Sequence, residues 1–267
     1  MSTSQERTSV DLISSIGTFS TCEIADALVA LHSPHGGYLP DLNLYSPDSK
    51  SESPLKLCGE AFTVQIVHVS DSQARRPKEH YVDAAEPGTV IVISSPPNTK
   101  NAVWGGLMTT RAQFRGVKGV VIDGRCRDLA EHREVGFPVF ARSHSVLGQA
   151  TFTRPSVLQE PITIHPLDEG IPQDSKAQRL APVTIEPYDI IVGDEDGVVV
   201  VPKGMVEQVI KDCTKNVEID KKCMADLKAG RSIKETFAEH RELVFAEHPI
   251  LVDSGKPRMY GSLSSPF

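Results

Sequence analysis

The sequence lacks the marks of several protein classes. It has only five cysteines in 267 residues (Cys22, Cys58, Cys126, Cys213 and Cys223), an odd number with no C-x-x-C pair. That excludes a disulfide framework or a zinc knuckle as the organising device and leaves most of the thiols to pack as small apolar side chains. The nine histidines contain no H-x-x-x-H or H-E-x-x-H pair, so a zinc-protease site is not expected. No apolar run is long enough to span a bilayer; the longest, such as 197–202, are strand-sized. The opening MSTSQERTS has no apolar core of a secretory signal. A basic excess is also missing, since 28 Lys and Arg stand against 35 Asp and Glu for a net charge of −7, the reverse of a nucleic-acid footprint. What remains is an ordinary balance of 39% hydrophobic and 24% charged residues in a chain long enough to bury a core. The expectation is a reduced, cytoplasmic protein that binds neither nucleic acid nor membrane.

The pattern along the chain predicts layered α/β structure. A first helix is expected near Asp11 and a second near Ser20, where Ser20-Thr21-Cys22-Glu23 forms a capping box. Residues 33–55, with four prolines and no periodicity, read as a long surface loop. Strands are expected at 61–67, 89–93, 118–123 and 139–141, with helices at 105–114 and 128–135 between the last three. That strand–helix alternation argues for α/β layering. Two strands, 189–192 and 197–201, flank an acidic turn at Asp194-Glu195-Asp196; a long helix from Lys203 to about Ala229 follows, and one more helix after Ser232. Residues 249 onward read as a loop. No linker divides the chain, so a single domain is expected over 1–267, with a core at about 8–230 and a helical extension at 231–267.

Chemistry concentrates at two places. Trp104-Gly105-Gly106-Leu107-Met108 is a loop-to-helix junction whose free N–H groups and helix dipole suit an anion such as a carboxylate. Arg127-Asp128 follows a buried strand and a glycine turn, where α/β sheets place ligand groups. The arginine offers a planar fork for a carboxylate or keto oxygen, and the aspartate a hard oxygen for Mg²⁺ or Mn²⁺. A structural alternative stands beside this: Asp128 to Glu131 also reads as a helix cap with its box partner, and Arg127 could pair with Glu131. His132 reads as a surface residue of that helix, Trp104 as packing at the helix entrance, and Arg111 and Arg115 as a solvated or intersubunit face.

Gly106, twenty intervening residues, then Arg127-Asp128-Leu129-Ala130-Glu131 resembles the G-x20-R-D-x2-E/D signature of RraA-like proteins. That family includes class II 4-hydroxy-4-methyl-2-oxoglutarate aldolases, oxaloacetate decarboxylases and regulators of ribonuclease activity. Thr21 to Leu28 resembles its T-x-x-(I/V)-x-D-A-L segment, 136–141 its G-(F/L)-P-V-(F/W) strand, and 189–202 its G-D-then-D-x-x-G-V hairpin. The resemblance implies an α/β fold, specifically an αββα sandwich like the swivelling phosphohistidine domain, assembled into homotrimers or hexamers with sites between subunits. It implies that Asp128 ligates a divalent cation, Mg²⁺ or Mn²⁺, and that Arg127 holds a short 2-keto acid. The Leu107 and Met108 N–H groups, at the Gly105-Gly106 junction, would bind the substrate carboxylate. Cleavage beyond C3, by loss of CO₂ from oxaloacetate or by retro-aldol reaction, would leave pyruvate enolate, its charge stabilised by cation and arginine with no Schiff-base lysine.

Proton transfer needs a further group. Asp220 falls on the expected apolar stripe of the long helix (Val206, Ile210, Cys213, Val217, Met224, Leu227), with Glu218 nearby. Such a carboxylate needs a partner, either across a subunit boundary near the metal or at the wet edge of the stripe. Asp220, Glu218 and Glu131 are therefore the candidates for ordering water. The resemblance departs at one position: the aldolases carry an acidic residue where this chain has Gly106, which favours decarboxylation over aldol cleavage. A non-catalytic binding protein of the ribonuclease-regulator type shares the same core motif and is the alternative. A phosphotransfer domain, suggested by fold analogy alone, ranks last.

Overall fold

The computed structural model describes residues 8–48, 55–167 and 180–241. Two compact units are present, Met1–Cys213 and Thr214–Phe267. The first opens with helices α1 (Val10–Ile16) and α2 (Thr21–Ala30), then strands β1 (Asn43–Ser46) and β2 (Leu57–His68). Next come α3 (Tyr81–Ala84), β3 (Thr89–Ser94), α4 (Gly106–Phe114), β4 (Gly119–Cys126), α5 (Leu129–Glu134) and β5 (Val139–His144). Strands β6 (Thr153–Leu158), β7 (Ile162–Ile164), β8 (Val183–Ile185), β9 (Ile190–Asp194) and β10 (Gly197–Val201) follow. Helix α6 (Val206–Lys228) starts in the first unit, and α7 (Ile233–His240) belongs to the second.

Strands β2 to β5 are parallel neighbours, and β1, β9, β10 and β6 add antiparallel pairings in the order β1-β5-β4-β3-β2-β9-β10, with β6 also on β2. Strand β3, TVIVIS, is buried on both faces, as expected of a central parallel strand. Alternation along each strand sorts the side chains into an inside and an outside. Leu57, Ala61, Val90, Val92, Val121, Phe140, Ile191, Val198 and Val200 share one cluster, closed by the small β7–β8 ribbon. The opposite faces divide. Ile91, Ile93, Val120, Ile122, Val139 and Ala141 meet α3 and α4, whereas Ile190, Val192, Val199 and Val201 meet α1, α2 and the start of α6. One curled sheet thus has its inner face turned on itself and helices on two outer sides, the expected αββα arrangement.

The capping box at Ser20 is present: Ser20 Oγ accepts from Glu23 N and Ser20 N donates to Glu23 Oε2. Residues 33–55 depart from the loop expectation. Leu39 and Leu42 are buried and β1 pairs with β5, because the sheet edge recruits a short strand whose few residues carry no periodic signal. Residues 49–54 of that stretch lie outside the described residues, as does the end expected as loop from 249. Strands β6 to β8 were hidden in a polar, proline-containing stretch, since each is short and takes its order from β2 or from the inner cluster. Three of the five free cysteines are buried as expected: Cys126, Cys213 and Cys223. No single helix among the described residues is long and apolar enough to cross a membrane.

Candidate functional site

The site forms where the end of β4 meets the start of α4. The segment before α4 runs beside β4 through Val103 N to Arg125 O (2.9 Å) and Arg127 N to Trp104 O (3.0 Å). Trp104 is buried between Tyr81 and Phe137, anchoring that segment at the helix entrance as expected. Asp128 then takes a left-handed conformation (φ 60°) at the head of α5. A non-glycine residue pays strain there, and the turn swings the carboxylate away from its own helix. Asp128 makes no side-chain cap on α5; its Oδ2 accepts instead from Gly106 N of α4 at 3.0 Å. The capping-box alternative is therefore corrected. Arg127 does not pair with Glu131 but lies with Nε 3.4 Å from Asp128 Oδ2.

Two glycines make this approach possible. A Cβ at Gly105 would stand 2.5 Å from Asp128 Oδ2, and a Cβ at Gly106 would collide with the Glu131 carboxylate. Glu131, reaching across from α5, therefore fills the space over Gly106. The anion-binding junction is narrower than expected. Gly106 N–H is taken by Asp128, and Met108 N–H donates to Gly105 O at 3.0 Å. Of the Gly106, Leu107 and Met108 amides, Leu107 N–H is the one left without a partner among the described residues. The site thus offers the free Leu107 amide, a half-exposed guanidinium and two carboxylates around a glycine pair, in the field of a helix N-terminus.

Sequence reading missed two contributors. Gly148, in the loop after β5, makes room for Arg127: a Cβ there would stand 2.9 Å from Nη1. A lone glycine in a polar loop gives no sign of this. His132 was expected at the surface and is fully buried. Helix α5 is so short that its inward side must face α4, and there Nδ1 lies 2.9 Å from Thr109 Oγ1. Burial holds the imidazole's pKa below the usual histidine value.

A family model described as RraA-like, Aldolase/RraA, matches residues 21–200. The chain belongs to the RraA-like family. A Halalkalibacterium halodurans protein named "Putative 4-hydroxy-4-methyl-2-oxoglutarate aldolase" is 31% identical over 206 residues, 77% of this chain and 83% of that protein. A Pseudomonas syringae pv. tomato protein of known structure superposes with a TM-score of 0.69 at 25% identity, covering 86% of this chain and 98% of that one. Streptomyces coelicolor RraAS2, described as an unusual member of the RNase ES inhibitor RraA family, superposes with a TM-score of 0.65 at 21% identity, covering 81% and 96%; at that identity the likeness is one of fold.

Within this RraA-like chain the other acidic candidates have different surroundings. Asp220 was expected on the apolar stripe of α6. Its carboxylate is half-exposed and bound to Arg241 at 2.6 Å, while Cys223 is the buried residue one turn on. The stripe drifts because the helix turns every 3.6 residues. Glu218 is exposed and paired with Lys221 at 2.6 Å. The acidic turn is structural, as expected: Asp194 accepts from Thr21 N (2.8 Å) and Thr21 Oγ1 (2.6 Å), closing the start of α2. Asp226, Glu239 and His240 also cluster in the second unit, but Arg231 already bridges Asp226 and Glu239 and leaves no need for a cation. Asp128 fits a hard divalent ion better. Its Oδ1 has no protein partner among the described residues, and such ions accept a few carboxylate oxygens with water and substrate completing the shell.

Proposed function

We propose that this RraA-like protein is a divalent-metal-dependent carbon–carbon lyase acting on short 2-keto acids. Its main reaction is the decarboxylation of oxaloacetate to pyruvate, with retro-aldol cleavage of 4-hydroxy-4-methyl-2-oxoglutarate as the second. The observation that supports it most is the turn of Asp128 away from its own helix, which sets a carboxylate beside Arg127 and the N-terminus of α4.

Bound at Asp128, Mg²⁺ or Mn²⁺ would supply Lewis-acid polarisation of the keto oxygen. The Nη groups of Arg127 hold the substrate's oxygens and oppose the negative charge that grows there as the bond beyond C3 breaks, a contribution of several kcal/mol in such sites. Leu107 N–H and the dipole of α4 receive the C1 carboxylate. Glu131, standing over Gly106, is placed to orient the water that brings a proton to C3 or removes one from the C4 hydroxyl. With this motif carboxylate beside it, Gly106 does not by itself exclude aldol cleavage.

The sites are shared between copies of the chain in a homotrimer or hexamer. Support comes from Leu107 and Phe114, at the start and end of α4 and 78% and 80% exposed, apolar surface that a second subunit would cover.

The test is pyruvate release from oxaloacetate, with and without Mg²⁺ or Mn²⁺, for the full chain and for Asp128→Ala, after subtracting decarboxylation by the free cation. Metal-dependent turnover that falls to background in the variant is expected. No turnover above background, with either substrate, would move the assignment to a regulator-type binding protein.

A further inference from the structure

We infer that His132 is a positioning residue, the end of a buried relay Trp104–Thr109–His132 that locks the Arg127–Asp128 turn against α4. The three groups are nearly inaccessible to solvent. Trp104 Nε1 donates to Thr109 Oγ1 at 2.8 Å, and Thr109 Oγ1 lies 2.9 Å from His132 Nδ1. His132 N reaches back to Asp128 O at 3.3 Å. The relay therefore joins the segment entering α4, α4 itself and the turn carrying both motif residues.

Donor counting sets the direction. An indole N–H only donates, and a threonine hydroxyl has one proton to give. With the Trp104 bond accepted, the Thr109 proton finds an acceptor, among the described residues, only at His132 Nδ1. The imidazole proton then sits on Nε2, a buried atom without a hydrogen-bond partner among the described residues. The opposite tautomer would strand both the Thr109 proton and the Nε2 lone pair in the core, a costlier arrangement. Asp128 occupies a strained left-handed conformation, and such residues persist where their surroundings over-determine them. The relay supplies that constraint without touching substrate.

Its effect on turnover rests on the lyase reading; its geometry does not. Two measurements separate them. A long-range proton–nitrogen NMR spectrum of the full-length protein, with the His132 signals identified by their loss in His132→Gln, should show the proton on Nε2 and a bare Nδ1. A proton on Nδ1 overturns the relay whatever the enzyme does. In metal-dependent oxaloacetate decarboxylation, Thr109→Val should lower kcat by about 10- to 100-fold with KM little changed. Thr109→Ser, which keeps the hydroxyl, should restore it. Wild-type kcat in Thr109→Val, or equal loss in both variants, overturns the positioning role. If the wild-type protein shows no turnover, the lyase reading falls and the relay stands or falls on the tautomer.

Discussion

Asp128 and Gly106 carry different messages at the scale of single residues. The aspartate's chemistry was legible in the sequence as part of a spaced motif, but its direction was not. Only the left-handed turn tells a helix cap from a group aimed at another helix. Gly106 was legible as a backbone that something approaches, and the structure identifies that visitor as Glu131 rather than only a ligand. A prediction follows from the geometry. Gly106→Ala should push the Glu131 carboxylate aside and lower oxaloacetate turnover by at least about tenfold, on the scale of groups that support a metal site. The double variant Gly106→Ala/Glu131→Ala removes the clash with the carboxylate, leaving the two Cβ atoms 3.1 Å apart, and should melt above the single variant while staying impaired. Recovery of turnover in the double variant would show that Glu131 has no part in the chemistry. His132 was the least legible residue: a histidine beside a glutamate in a short polar helix looks exposed, and only the packing of α5 on α4 buries it.

Among elements, the start of α2 shows how a local signal and a distant one combine. The capping box could be read directly, because both partners are three residues apart. The second tie could not: Asp194 lies 173 positions away and accepts both the amide and the hydroxyl of Thr21, with Lys56 Nζ at 3.5 Å. This explains the conjunction of the T-x-x-I-x-D-A-L segment with the G-D hairpin, since one carboxylate stitches α2 to the β9–β10 turn. Asp194→Ala strands a buried amide and hydroxyl, and it should destabilise the protein by about 1–3 kcal/mol, read from the midpoint of urea unfolding. An unchanged midpoint would reduce this bond to coincidence. The missed strand β1 has the same explanation from the other side. A four-residue strand is specified by the free edge of β5, and its own composition says little.

For the molecule as a whole, α4 starts at the Asp128 site and exposes two large apolar side chains, Leu107 at its start and Phe114 at its end. Leu107 itself carries the free amide, and the Arg111 guanidinium lies 5.2 Å from the Phe114 ring centroid. If a neighbouring copy covers this surface, Phe114→Glu should convert the assembly to smaller species in sedimentation velocity and reduce turnover with it. A monomeric wild-type protein would remove the shared-site proposal and leave the site residues as they stand.

The sequence by itself determined the family motif, the alternation of strands and helices around it, and the absence of disulfide, zinc-finger and long membrane-spanning segments. Those follow from spacing, periodicity and composition, which are local properties of the chain. Tertiary structure alone decided where the Asp128 carboxylate points, that the Glu131 carboxylate lies over Gly106, that Asp220 answers Arg241, and that His132 is buried. Each depends on the distance between segments far apart in sequence. Such distances are set by how the sheet curls and how two short helices pack, and no run of neighbouring residues encodes them.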